Sequence, residues 1–186
     1  MASSSEIHTD RLLLRDFRPS DVVEVFAYQR DPRYLLHTPW EERTESEVRS
    51  FVDLMIAWAE ESPRTKFQLA IEREGRVIGS CGIRLAAAGE REGEYGCELA
   101  PAAWGQGYAM EASRAIVNFG FTSLGLHRIF SSTLAANAAA INLAERLGFR
   151  QEGRLRAQSW IRDGWRDSIL LAMLETDWGL PQVPGP

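Results

Sequence analysis

The 186-residue sequence predicts an α/β fold, a mixed and mostly antiparallel sheet of about seven strands flanked by about four helices. Three observations carry this expectation. Short runs that alternate apolar and polar residues are punctuated by compact turn sequences. Segments with apolar residues at helical spacing lie between them. Past mid-chain, one strand runs through a glycine turn directly into a helix. With 45% apolar residues the chain can bury a sizeable core, and its length suits one domain. The expected organisation is a single domain over residues 1–180 and a flexible tail over 181–186, where proline and glycine accumulate.

Residues 11–17 alternate through Leu12, Leu14 and Phe17 as a first strand. In Arg18-Pro19-Ser20-Asp21, Ser20 is the expected N-cap of a helix whose apolar side carries Val22, Val23 and Phe26. Thr44-Glu45-Ser46-Glu47 fits a capping box and opens a second helix bearing Val48, Phe51, Val52, Met55 and Ile56. Residues 67–71 and 77–85 form a hairpin about Arg73-Glu74-Gly75. A strand over 94–99 leads through Trp104-Gly105-Gln106-Gly107 into a helix with Tyr108, Ala112, Ala115, Ile116 and Phe119 on one side. Residues 128–134 read as a strand, and 138–147 as a helix stopped by Gly148. Residues 151–178 close the sheet as a hairpin turning at Arg162-Asp163-Gly164.

Composition removes several function classes. Cys81 and Cys97 are the only cysteines. Neither lies in a C-x-x-C motif, and the three histidines do not cluster with them, so no metal site is expected. A net charge of -5 argues against direct nucleic-acid binding and suits a cationic partner. The most apolar stretch, 134–144, is interrupted by Asn137 and Asn142 and is shorter than the ~20 residues of a membrane span. The first residues lack a basic segment followed by an apolar one, so a cytoplasmic location with no membrane partner is expected.

The strand running into Gly105-Gln106-Gly107-Tyr108-Ala109 and a helix presents unpaired N–H groups at the positive helix end, a place for phosphate or pyrophosphate. Glycine there permits positive φ and close backbone approach. The position past mid-chain, after antiparallel strands, does not fit a dinucleotide-binding G-x-G-x-x-G. The absence of Lys-Ser or Lys-Thr excludes a Walker loop.

These residues resemble the GNAT superfamily of N-acetyltransferases, and within it the Rim-like branch that modifies ribosomal-protein N-termini. The resemblance begins at Thr9-Asp10-Arg11-Leu12-Leu13-Leu14-Arg15 and runs through Tyr95-Gly96-Cys97-Glu98-Leu99 and Trp104 to Ala112. It continues in Leu126-His127-Arg128-Ile129, Asn137, Glu145-Arg146-Leu147-Gly148-Phe149, Gly164, Asp167 and Asp177-Trp178. It implies a sheet splayed open between its two middle strands, with acetyl-CoA as acyl donor in the opening and no metal. The pyrophosphate would sit on Trp104, Gly105, Gln106, Gly107, Tyr108 and Ala109, the pantetheine against Leu99 and Ala100, and Asn137 would reach the cofactor. A homodimer is plausible for the family. Three departures stand out. Trp104 replaces the usual opening Gln or Arg, so backbone must dominate phosphate binding. Ala144 stands where many relatives carry the tyrosine that protonates the leaving thiolate, and Ala140 replaces a frequent serine. A thiolate with a solution pKa near 8.5 needs no strong acid.

Attack by a neutral amine requires alignment, proton removal and a donor for the developing oxyanion. Leu99 N–H is the candidate donor, and Glu98 the candidate base acting through a water; the alternative for Glu98 is a solvated or ion-paired strand residue. Alternation places Glu94, Gly96 and Glu98 on one face and Tyr95, Cys97 and Leu99 on the other, unless a bulge breaks the parity. Trp40 lines the amine side or anchors its loop. Trp160, with Trp165, walls the acceptor cleft or forms a cross-strand packing pair. His127 reads as structural, and His8 as part of a mobile end. A covalent acetyl-Cys97 route lacks any neighbour in sequence that would lower the thiol pKa. The expected acceptor is a protein or peptide α-amine, already partly neutral at pH 7, where a lysine needs more help. A small amine such as an antibiotic or polyamine, or a non-catalytic acyl-CoA-binding module, are the alternatives.

Overall fold

Hydrogen bonding arranges eight strands in one sheet of order β1-β2-β3-β4-β5-β6-β8-β7. The computed structural model describes residues 6–36, 38 and 40–178; the expected tail, 181–186, lies outside them. In chain order the elements are β1 (Ile7–His8), β2 (Leu13–Arg15), α1 (Val22–Gln29), α2 (Pro32–Leu35), α3 (Glu45–Glu60), β3 (Lys66–Arg73), β4 (Arg76–Arg84), β5 (Glu92–Leu99), α4 (Tyr108–Thr122), β6 (Arg128–Leu134), α5 (Ala138–Leu147), β7 (Arg150–Ile161) and β8 (Gly164–Leu174). The expected fold class holds, with two additions. The leader supplies β1, which pairs antiparallel with β2, so His8 belongs to a strand. Pro32–Leu35 adds a short helix, capped by the Asp31 carboxylate on Arg33 N.

Every neighbouring pair is antiparallel except β5 and β6. These two run parallel, and their rungs join only Glu92–Glu94 to Arg128–Phe130. Beyond them β5 continues to Leu99 and β6 to Leu134 with no rung between them among the described residues. The sheet is therefore split at its middle, as the resemblance implied. β5 keeps an unbroken register against β4 from Glu94↔Arg84 to Leu99↔Gly79, so no bulge on that edge disturbs the alternation of its faces.

Alternation sorts the strand residues between two cores. Leu69, Ile71, Cys81, Ile83, Tyr95 and Leu99 pack with Tyr108, Ala112, Ile116 and Val117 of α4 and with Ala144 and Leu147 of α5. Ala70 and Val77 pack on the other side with Val22, Val25, Tyr28, Tyr34, Val48, Val52 and Met55. α3 follows its capping box: Thr44 N donates to Glu47 Oε2 at 2.7 Å, and Glu47 N to Thr44 Oγ1 at 3.3 Å. Its buried Val48, Val52 and Met55 keep helical spacing.

α1 departs from expectation. Ser20 makes no cap; Pro19–Asp21 forms a 3₁₀ turn whose Asp21 carboxylate accepts from Arg18 N at 2.8 Å. Asp21 is buried and takes both arms of Arg15, at 2.8 and 2.9 Å, while Arg15 Nε donates to Glu72 at 2.6 Å. A buried charge persists only when paired in this way. Burial alone would lower the Arg15 pKa, and its bonds to Asp21 and Glu72 outweigh that and raise it. Turning Asp21 inward rotates the helix so that Val22, Val25, Tyr28 and Gln29 face the sheet, leaving Val23 73% exposed.

Candidate active site

The end of β5 brings one carboxylate among several hydroxyls. Glu98 Oε1 accepts from Tyr28 at 2.8 Å and from Ser80 at 3.2 Å, and Oε2 accepts from Tyr34 at 2.6 Å. Ser80 lies opposite Glu98 across the β4–β5 ladder. It accepts from Gln68 Nε2 at 3.1 Å, and Arg84 Nη1 donates to Gln68 Oε1 at 2.9 Å before Arg84 Nη2 meets Glu94 at 3.3 Å. Among the described residues Glu98 therefore has hydroxyl partners and no ion pair, and it ends a hydrogen-bonded polar row across β3, β4 and β5. Burial and the neighbouring Glu98 charge push both the Tyr28 and the Tyr34 phenols up, so each stays neutral and donates.

Leu99 follows on the opposite face, 6% exposed. Ala100 N donates to Ile78 O at 2.8 Å, so 100 and 78 form a hydrogen-bonded pair. Because such pairs alternate along an antiparallel ladder, Glu98 and Ser80 form another, and Leu99 directs its N–H away from β4. That direction is the side on which β6 has already parted from β5.

The turn after β5 is held from three directions. Trp104 Nε1 donates to Leu99 O at 2.9 Å, Gln106 Nε2 to Ala102 O at 3.0 Å, and Arg11 Nη1 to Gln106 O at 3.0 Å. Gly105 and Gly107 adopt φ of +73° and +83°, the left-handed conformation that makes glycine necessary there. Trp104, Gly105, Gln106 and Gly107 are exposed, while Tyr108 and Ala109 begin the 15-residue helix α4 with Tyr108 buried. An exposed turn of backbone amides at a helix N-terminus fits a diphosphate.

Asn137 lies where β6 passes into α5, and its Oδ1 caps that helix on Ala140 N at 3.1 Å. Trp40 packs on the α1–α3 core, with the Arg43 guanidinium 4.2 Å from its ring centroid. Trp160 pairs across the hairpin with Trp165, centroids 5.4 Å apart and edge-to-face, yet the two are 56% and 59% exposed. The hairpin tip reaches α2 through Arg162 Nη2, which donates to Leu35 O at 2.9 Å. Thus β5 gathers Glu98, Leu99, Ala100 and the turn, whereas Trp40 sits in packing and Trp160 on the surface.

Ala144 is buried in the α4–α5 core and offers no proton donor. Burial pushes the Cys97 thiol up to about 11, Ser113 opposing the shift and the Glu98 charge adding to it, which removes the nucleophile a covalent route requires. His127 contacts Glu175 at 3.0 Å at the start of β6. Tyr28, Tyr34 and Ser80 escaped sequence reasoning because nothing in a linear spacing ties them to Glu98. Arg11 and Glu111 lie inside the motifs quoted above, so their signal was present without its meaning.

Residues 11–150 match the family model described as an acetyltransferase (GNAT) domain. The match covers more than half of the chain, and the chain belongs to that family. It is similar to the N-acetyltransferase YnaD of Bacillus subtilis (strain 168), 30% identical over 172 residues, 92% of this chain and 98% of the relative. It is also similar to the ribosomal protein uS5-alanine N-acetyltransferase of Escherichia coli (strain K12), 27% identical over 177 residues, 91% of each chain. A solved GNAT-family acetyltransferase from Bacillus anthracis superposes with a TM-score of 0.81 at 26% identity, over 92% of this chain and 99% of that one. The protein is an acetyl-CoA-dependent N-acetyltransferase of the GNAT family, and its likeness runs to the Rim-like branch. No described helix is long and apolar enough to cross a membrane.

Proposed function

We propose that the acceptor is the α-amine of a protein or peptide N-terminus and that Glu98 and Leu99 carry the transfer. The observation that bears most weight is the Glu98 carboxylate, held by Tyr28, Tyr34 and Ser80 one residue before an N–H directed into the opening. Oε1 already receives two hydroxyls and Oε2 one, so Oε2 is the oxygen with room to accept a further proton, directly or through a water. Leu99 N–H is the donor for negative charge developing on the thioester oxygen. Gly105 to Ala109 hold the diphosphate, Trp104 braces their turn, Leu99 and Ala100 orient the pantetheine, and Asn137 donates from α5. The amine loses one proton to Glu98, and the leaving thiolate takes one up from solvent.

A hydrogen-bonded carboxylate is a modest base, adequate for an α-amine of pKa about 7.7–8.0 and a poor match for a lysine near 10.4. The uS5-alanine enzyme among its relatives acts, by its name, on a protein alanine, which favours the same acceptor class. The test is thiol release from acetyl-CoA with peptides bearing free N-termini, N-blocked lysine peptides and small amines. Turnover confined to free N-termini is expected; turnover confined to lysine peptides or small amines overturns the acceptor assignment.

A further inference from the structure

Resting on the acetyl-CoA reading of the turn, we infer that Arg11 is a positioning residue for the pyrophosphate turn, and that it acts chiefly by cancelling the charge of Glu111. Glu111 lies in the first turn of α4, the helix whose N-terminus would receive the diphosphate. Left uncompensated, this carboxylate would repel the ligand that the helix end attracts. It is not left so. Arg11 Nε and Nη2 reach Glu111 Oε2 at 2.7 and 2.6 Å, while Arg11 N and the Thr9 hydroxyl reach Oε1 at 2.9 and 2.6 Å.

The Glu111 carboxyl is accordingly held below its ordinary range: burial pulls the other way, and the bonds from Thr9 and Arg11 prevail. The same guanidinium holds the turn itself. Nη1 donates to Gln106 O, Nη2 would lie 3.3 Å from a β-carbon placed on Gly107, and the group stacks 4.5 Å from the centroid of the Tyr108 ring. One side chain from the β1–β2 connection therefore both neutralises the helix start and fixes the carbonyl inside the turn. This gives Thr9 and Arg11, and Glu111 some hundred positions further on, a shared reason to be present. It also supplies a brace in a chain whose turn opens with Trp104.

The experiment titrates the purified full chain with CoA and, separately, with pantetheine, which lacks the diphosphate. Arg11→Ala is expected to weaken CoA by about tenfold or more while pantetheine changes less than about twofold, and turnover should lose through KM rather than kcat. Glu111→Gln placed on Arg11→Ala is expected to restore most of the CoA affinity, because it removes the uncompensated charge. Parallel loss of CoA and pantetheine, unchanged CoA affinity, or no recovery in the double variant each overturns the inference. If Arg11→Ala does not fold, Arg11→Lys replaces it: a lysine keeps the charge and loses the fork, so a smaller loss confined to CoA is expected and an equal loss for both ligands overturns the inference. A wild-type chain that binds no CoA overturns the acetyl-CoA reading itself, a result distinguishable from all of these.

Discussion

The two faces of β5 present side chains of similar latent reactivity and treat them in opposite ways. On the α4 face, Cys97 sits opposite Cys81 among Tyr95, Ser113 and the large core, and burial drives its thiol up to about 11. On the α1–α3 face, one residue on, Glu98 is enclosed to a similar degree but receives three hydroxyl donors. Burial that outweighs the hydrogen bonds of Ser113 and Tyr95 holds the Cys97 thiol protonated, whereas three hydroxyl donors hold the Glu98 carboxylate oriented. The difference comes from the partners each face meets, since the two residues are adjacent in sequence.

The most damaging way to break this contrast is Glu98→Gln. Removing the proposed base is expected to lower kcat by about 10²- to 10⁴-fold, with CoA affinity unchanged by calorimetry; activity within threefold of wild type rejects the assignment. Next comes the support of that carboxylate. Tyr34→Phe strips Oε2 of its described donor and is expected to cost about tenfold in kcat. Tyr28→Phe should cost less, because Ser80 still donates to Oε1. Steady-state kinetics of the two variants decides, and a larger loss for Tyr28→Phe reverses the proposed geometry.

On the other face, Cys97→Ala is expected to keep turnover within about twofold, the opposite of what a covalent intermediate demands. The thiol also makes a prediction about stability. Its folded pKa is raised from 9.0 to about 11, so the unfolded chain loses this proton first. The corresponding stability is complete below pH 9, declines as pH rises and is lost by about 11. Thermal melts of wild type and Cys97→Ala across that window should converge differently, the variant falling less steeply. The smallest effect concerns Glu111, whose lowered pKa works in the acid direction: its contribution is present above its ordinary value of 4.5 and is lost as pH falls through the lowered one. Glu111→Gln should therefore melt with a weaker dependence on pH in that range.

Much of the architecture was legible because its signals are local. The capping box at Thr44, the Gly148 end of α5, both hairpin turns and the left-handed glycines at 105 and 107 are dictated by backbone chemistry within a few residues. The strand parity of β5 was legible for the same reason, since alternation needs no partner to be named. On α1 the expected Val22 is buried and Phe26 packs partly against the core, but Val23 is exposed and Val25, Tyr28 and Gln29 are buried in its stead, beside an Arg15 that clasps Asp21 and Glu72, the latter 57 positions away.

The sequence by itself determined the kind of fold, the location of the left-handed glycine turn before α4 and the family to which the chain belongs, since each is written in short, contiguous patterns. Only the tertiary structure decided that Glu98 meets Tyr28, Tyr34 and Ser80, that burial raises the Cys97 thiol and that Arg11 braces Gln106 and Glu111. The physical reason is one of range. Capping, turns and alternation act along the chain, whereas hydrogen bonding and desolvation of a functional group are set by residues that only folding makes its neighbours.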